Sequence, residues 1–463
     1  LPSPDQISAP ASRAQRARLA AEVRTLLDRL LAAPARPGVS RADLAEERAW
    51  WSDEDRPLVA AVRRSFLVRQ LALRAADSAG SWRTSVSYIG DADPADQRVC
   101  GYDYDRAELR LAAGSAWARP YPWTDEQTPA QVWYSRTGMA AITAWALAVA
   151  RIAAVLGPVR VVSNRLYHET AVLFRSMDLT RVAFTTCQDI EEIVHTGTDS
   201  TTPVVVFLDS SRPFGDAAAV GRVLSATTPG QVPLVVWDNT CASTAQPPAG
   251  EPDRPLLLIR SHVKLDQFGL EFSPLGSLAL LAGQQDWATR LRALIPECLM
   301  VTGGCASPTA LRLLDALGLP DHDWARAANR LLRAANGVGA RVLAEGLAGA
   351  FRVVTNDHRC FVEVHVLDIP GPADPGSSAP WPPWDAFDVR LTELERRAQA
   401  RDLPVWKSAS FGFHYTGLSW YGSDDPGEEP HTVLRVCFGM HDPEVAAAVA
   451  RTVVEVLSEG SAP

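Results

Sequence analysis

Apolar positions recur at three- and four-residue spacing near the start of the chain, as in Ala20-Ala21-Glu22-Val23-Arg24-Thr25-Leu26-Leu27-Asp28-Arg29-Leu30-Leu31, which gives a helix one buried face. Residues 1 to about 80 are therefore predicted to be a helical arm rich in Arg, Ala and Leu. From about 130 to 285 short β-branched runs alternate with Ala/Leu stretches: Val159–Val162, Pro203–Leu208, Pro233–Trp237 and Leu256–Ile259. Continuous apolar strands separated by helices predict a parallel sheet covered on both faces, hence an α/β core. A helical stretch follows from Pro308 to about Gly349, then a Pro/Gly/Ser-rich loop at 370–383, a late strand at 433–438 and an amphipathic helix from Pro443. No internal repeat interrupts this order.

Ligands of such sheets lie outside the carboxyl ends of the strands, so the residues after each run carry the interest. They are Ser163-Asn164-Arg165-Leu166-Tyr167, Asp209-Ser210-Ser211-Arg212, Asp238-Asn239-Thr240 and Arg260-Ser261-His262-Val263-Lys264.

Composition removes several function classes. The chain has 463 residues, a net charge of −9 and 21% charged residues, so it lacks the basic field that nucleic acid requires. No apolar run is read as long enough to span a bilayer, and no basic-then-apolar leader opens the chain, so a cytoplasmic location is expected. The seven cysteines form no CxxC pair and the nine histidines no HExxH, so neither a disulfide framework nor a metal centre is expected. Of 45 basic residues only Lys264 and Lys407 are lysine. A guanidinium cannot form the imine that a deprotonated amine forms with an aldehyde, which makes a retained lysine a candidate for amine chemistry. A codon bias toward arginine would leave the same two lysines.

Pyridoxal 5'-phosphate (PLP) asks for an amine, a carboxylate at its ring nitrogen, donors for a phosphate and an aromatic face. Lys264 and Asp238 follow successive strands and supply the first two, although an aspartate there is more often a turn or cap residue. Thr137-Gly138-Met139, opening an Ala-rich helix, offers free amides to the phosphate. Ser261 can donate a further hydrogen bond, and Tyr167 can stack on the ring or simply pack.

Taken in order, the motifs resemble the Cys/Met-metabolism (trans-sulfuration) PLP enzymes, which include the cystathionine synthases and lyases and methionine γ-lyase. Tyr102-Asp103-Tyr104-Asp105-Arg106 resembles the family's YxYSR segment, Thr137–Ile142 its SGMAAI turn, and Leu166–Thr170 its YGGT segment. Val236–Thr240 resembles VVDNT and Ser261–Lys264 resembles SxTK. Ser410-Phe411-Gly412 resembles the SLG turn, and Leu434–Gly439 the strand whose arginine grips the substrate carboxylate. The resemblance covers roughly 100–460. It implies PLP-dependent transferase fold type I (aspartate-aminotransferase-like): a large domain with a mainly parallel sheet and a smaller C-terminal α+β domain. The corresponding boundaries are 1–100, 101–310 and 311–463.

The resemblance further implies that Lys264 carries the cofactor as a Schiff base and takes the α-proton, and that Tyr167 is an acid/base near the leaving group. Arg435 and Ser410 would hold the substrate, while Tyr104 and Arg106 would reach the phosphate of a neighbouring subunit in a homodimer or homotetramer. The departures are specific: Val263 replaces the threonine before the lysine, Leu265–Phe268 replaces a glycine-rich stretch, and Asp209–Phe214 replaces ExPxNP. The expected activity is β/γ-elimination or γ-replacement on an amino acid with a side-chain leaving group, in specialised metabolism. Formation of a terminal alkyne from a chlorinated allylglycine is one instance. The alternatives are transamination, decarboxylation or S-adenosylmethionine-based replacement, and, in another class, a non-catalytic scaffold.

Overall fold

The computed structural model describes residues 9–32, 40–77 and 115–459, apart from short stretches at 54–55, 122, 124–130, 178–179, 243, 249–252, 282–285, 348, 350, 356–359, 371–383, 409–412 and 424–430. The chain divides into two compact units, one of residues 1–35, 39–71 and 326–463, the other of 36–38 and 72–325. The N-terminal helices are α1 (Ala9–Ala32), α2 (Arg41–Trp50) and α3 (Leu58–Asp77). Their periodic apolar faces meet in a core of Leu19, Val23, Leu27, Leu44, Trp51 and Val62. The Ser40 side chain caps α2 by accepting from the Asp43 amide at 3.0 Å.

The larger unit runs β1 (Gln131–Ser135), α4 (Gly138–Leu156), β2 (Val159–Ser163), α5 (His168–Ser176), β3 (Val182–Thr186), α6 (Ile190–Asp199) and β4 (Val204–Asp209). It continues with α7 (Ala217–Ala226), β5 (Leu234–Asp238), β6 (Leu256–Ser261), β7 (Gly276–Leu281), α8 (Asp286–Val301) and α9 (Pro308–Ala316). The seven strands lie in the order β1-β7-β6-β5-β4-β2-β3, with β7 antiparallel to both neighbours and β2 to β6 parallel. Alternate residues face opposite layers. Val205, Phe207, Val236, Leu257 and Ile259 pack under α4 and α8, where Trp145 stacks on Phe207 at 5.0 Å. Val206, Leu208, Val235, Trp237 and Leu258 pack under α6 and α7. Covering both faces is what turned these strands into unbroken apolar runs.

Helix α4 corrects one expectation. Its 19 residues are long and apolar enough, by length and composition alone, to cross a membrane. In the fold, Ala141, Ile142, Ala144, Trp145, Ala148, Val149 and Ile152 are buried against the sheet, so its apolarity is that of a core helix.

Helix α10 (His322–Gly346) leads into the rest of the smaller unit, which holds β8 (Phe351–Thr355), β9 (Val362–Pro370), α11 (Trp384–Ala400), β10 (Val405–Lys407), β11 (Thr416–Ser423), β12 (His431–Cys437) and α12 (Pro443–Glu459). Its five strands are ordered β10-β11-β12-β9-β8. One face, with Val362, Val364, Leu418, Leu434 and Val436, joins a core with Leu391, Leu394, Val449 and Val453 of α11 and α12. A large, mainly parallel α/β layer structure and a smaller α+β unit, in which the C-terminal part is grouped with the N-terminal helices, are thus both present, the architecture expected of fold type I.

Candidate functional site

Asp209 and Asp238 end the adjacent parallel strands β4 and β5 in direct register. Asp209 is fully used: its Oδ2 accepts from the Tyr167 amide at 2.8 Å and its Oδ1 from the Ser211 amide at 2.8 Å. The first of these bonds brings the β2–α5 turn, and Tyr167 with it, to the same sheet edge. The Tyr167 ring packs on His168 with centroids 4.5 Å apart. Asp238 accepts at Oδ1 from the Thr240 amide at 3.0 Å. Burial, reinforced by the Asp209 carboxylate, pushes the Asp238 carboxyl up to about 7 against the Thr240 hydrogen bonds. A carboxyl so placed is set to receive a cation or a proton-bearing nitrogen.

Thr240 carries the edge onward, since its Oγ1 accepts from the Ser261 amide at 3.0 Å. Ser261 in turn abuts the start of α4, where a Cβ at Gly138 would stand 2.9 Å from the Ser261 Cβ. Only glycine allows that approach. Gly276 does the same from β7, where an added Cβ would meet the Thr137 carbonyl oxygen at 2.5 Å. Thr137 caps α4, its Oγ1 accepting from the Ala140 amide at 3.0 Å. Gly138 and Met139 therefore present amides without intrahelical acceptors, with the positive end of the helix dipole behind them.

Lys264 follows β6 by three residues, with a side chain about four-fifths buried and its Nζ 3.3 Å from Glu271 Oε1. Beneath it lies a buried polar network. Asp266 pairs with Arg260 (Nη2–Oδ1 2.5 Å) and with His262 Nδ1 at 2.7 Å. His262 Nε2 meets Ser277 Oγ at 2.7 Å, and Ser277 Oγ meets the Tyr121 hydroxyl at 2.9 Å. Burial pushes the Asp266 carboxyl up, but Arg260 and His262 outweigh it and hold it below its usual value. Burial lowers the His262 imidazole more than Asp266 raises it. The ion pair fixes the turn that follows Lys264, because neither charge can be left buried alone.

The sequence-predicted residues Thr137, Gly138, Met139, Tyr167, Asp238, Ser261 and Lys264 thus lie along one carboxyl edge of the sheet and the helix start beside it. Lys407 sits in a surface ion pair, its Nζ 2.9 Å from Asp388. Arg435 belongs to the other unit, on β12, where it is buried, donates from Nε to Ser419 Oγ at 3.0 Å and lies over the Phe361 ring. Tyr104, Arg106 and Ser410 lie outside the described residues.

The donor set at the edge fits PLP: an amine, a carboxyl biased toward a protonated nitrogen, and helix-start amides beside a serine. Asn239 adds an observation of the same sense, being buried with both side-chain amide atoms unpartnered among the described residues. The strand-end pattern named Asp209, Arg260 and His262 without assigning them partners, and gave no signal for Asp266 or Glu271. The last two are joined to the site only by folding.

No protein-family model matches the chain, and neither does any curated protein. Among solved structures, it is similar to a cystathionine gamma synthase from Xanthomonas oryzae pv. oryzae in complex with cystathionine, at 15% identity and TM-score 0.45 over 73% of this chain and 84% of that one. It is similar to an apo methionine gamma lyase from Micromonospora echinospora at 15% and 0.43, over 72% and 84%. It is also similar to an alanine aminotransferase from Pyrococcus furiosus at 13% and 0.45, over 73% and 79%.

Proposed function

We propose that this protein is a PLP-dependent enzyme that performs β/γ-elimination or γ-replacement on an amino acid bearing a side-chain leaving group. The observation that carries the reading is the alignment of Asp238, Ser261 and Lys264 at one sheet edge against the start of α4. When bound, PLP would supply an aldehyde for amines and an electron-withdrawing ring beside the substrate Cα.

The chain's own residues divide the remaining work. Lys264 would hold the aldehyde, and its Nζ would take the Cα proton of the substrate. Asp238 would face the ring nitrogen and favour a proton on it, as burial and the Asp209 carboxylate raise its affinity for a proton. The amides of Gly138 and Met139, with Ser261, bind the phosphate. Tyr167 serves as acid/base near the leaving group. Arg435, with Ser410, binds the substrate carboxylate, for which a guanidinium fork is the matched donor. Tyr104 and Arg106 complete the phosphate site of a neighbouring subunit, so the working form is at least a dimer. An alkyne-forming elimination from a chlorinated allylglycine is one substrate choice within this class.

The test is a panel of amino acids with halide, thiol or acyl leaving groups at Cβ or Cγ, with products identified by mass. Release of the leaving group with ammonia indicates elimination, and its exchange for an added nucleophile indicates replacement. Keto-acid-dependent amino transfer alone would replace this reading with transamination.

A further inference from the structure

The loop after Lys264 is held in a backbone shape that its residues resist. After the 3₁₀ turn Leu265–Gln267, three residues take the left-handed region: Phe268 (φ 54°), Gly269 (φ 65°) and Glu271 (φ 50°). Glycine does so freely; a β-carbon makes it unfavourable. Gln267 braces the loop across its neck, donating from Nε2 to the Ser273 carbonyl at 2.6 Å and accepting from the Ser273 amide at 2.8 Å. Phe268 has a packing reason for its conformation, since its buried ring meets Trp324 edge-on at 5.0 Å. Glu271 has no comparable burial. It stands between the buried Leu270 and Phe272, which turn it outward, and it places its carboxylate 3.3 Å from Lys264 Nζ.

From this geometry we infer that Glu271 is a positioning residue for Lys264 that stabilises the ammonium formed when Lys264 takes the substrate proton. The inference rests on the reading of Lys264 given above. In that step the Cα–H bond would break, its electron pair would stay with the substrate, and the proton would bond to Nζ. The neutral amine becomes an ammonium facing the Glu271 carboxylate. The carboxylate attracts an ammonium at Nζ more strongly than a neutral amine, so it assists proton abstraction. By favouring the ammonium it opposes covalent capture of the aldehyde, which needs the neutral amine. The two functions of one lysine are thus affected in opposite directions, which a merely structural residue would not do.

Glu271→Gln, Glu271→Asp and Glu271→Gly separate the possibilities. Apoprotein is mixed with PLP, and capture is read from visible absorbance and from borohydride-trapped mass on the Lys264 peptide. Deuterium uptake at Cα of L-2-aminobutyrate from heavy water reads proton transfer. Glu271→Gln and Glu271→Gly should capture PLP at least as readily as the wild type but lose about tenfold or more in exchange, with partial recovery in Glu271→Asp. Glu271→Gly should melt at or above the wild-type temperature, because glycine relieves the left-handed strain. Exchange within about twofold of the wild type in Glu271→Gln, or parallel loss of capture and exchange, overturns the inference. Failure of the wild type to capture PLP on Lys264, or to exchange at Cα, overturns instead the reading beneath it.

Discussion

Asp238 lies directly opposite Asp209 at the carboxyl ends of two hydrogen-bonded strands, and the second carboxylate helps to push the first up to about 7. The folded state therefore binds a proton at Asp238 more tightly than the unfolded chain does. Its stabilising contribution is present in full below about 4 and is lost as pH rises toward 7. Between those values the wild-type apoprotein should lose stability relative to Asp238→Asn. Urea denaturation of both proteins across that range checks this, and parallel stability curves would contradict it.

Breaking the buried pair under the lysine should be costly. Asp266→Ala leaves the fully buried Arg260 guanidinium without its carboxylate, and a loss of about 3–5 kcal/mol is expected. Chemical unfolding measures it. A loss below about 1 kcal/mol would mean that the network does not fix the turn after Lys264.

The approach of α4 to β6 is testable by a paired change. Gly138→Ala puts a methyl 2.9 Å from the Ser261 Cβ, which should cost about 1–3 kcal/mol and weaken PLP phosphate binding. Ser261→Gly in the same chain removes the atom it meets and should return most of the stability. Simple addition of the two losses in a double-mutant cycle would count against this contact.

Arg435→Lys keeps the charge but removes the planar fork. Weaker amino-acid binding with unchanged PLP affinity is expected, by titration of each ligand. Equal loss of both would remove Arg435 from the role of carboxylate clamp.

Much of the architecture was legible because burial on both faces leaves a mark in one dimension. The runs at β4, β5 and β6 are unbroken, and each ends in the polar residue that faces the site. Strand β3 (Val-Ala-Phe-Thr-Thr) lies at the sheet edge with exposed alternate residues, and β7 begins with Gly-Ser, so neither had that signature. Lys264 and Asp238 could be singled out because PLP asks for an amine and a carboxylate, and each follows a strand that the apolar pattern marks. The site was illegible where partners meet only through folding. Nothing in sequence order joins Tyr121 to His262 through Ser277, or marks Glu271 as lying 3.3 Å from Lys264 Nζ.

Lys264, and not the chain's other lysine, is expected to form the covalent bond to the PLP aldehyde. Visible absorbance of purified Lys264→Ala and Lys407→Ala after incubation with PLP tests it directly. The band should disappear in the first protein and persist in the second; persistence in Lys264→Ala with loss in Lys407→Ala would rule Lys264 out as the attachment point.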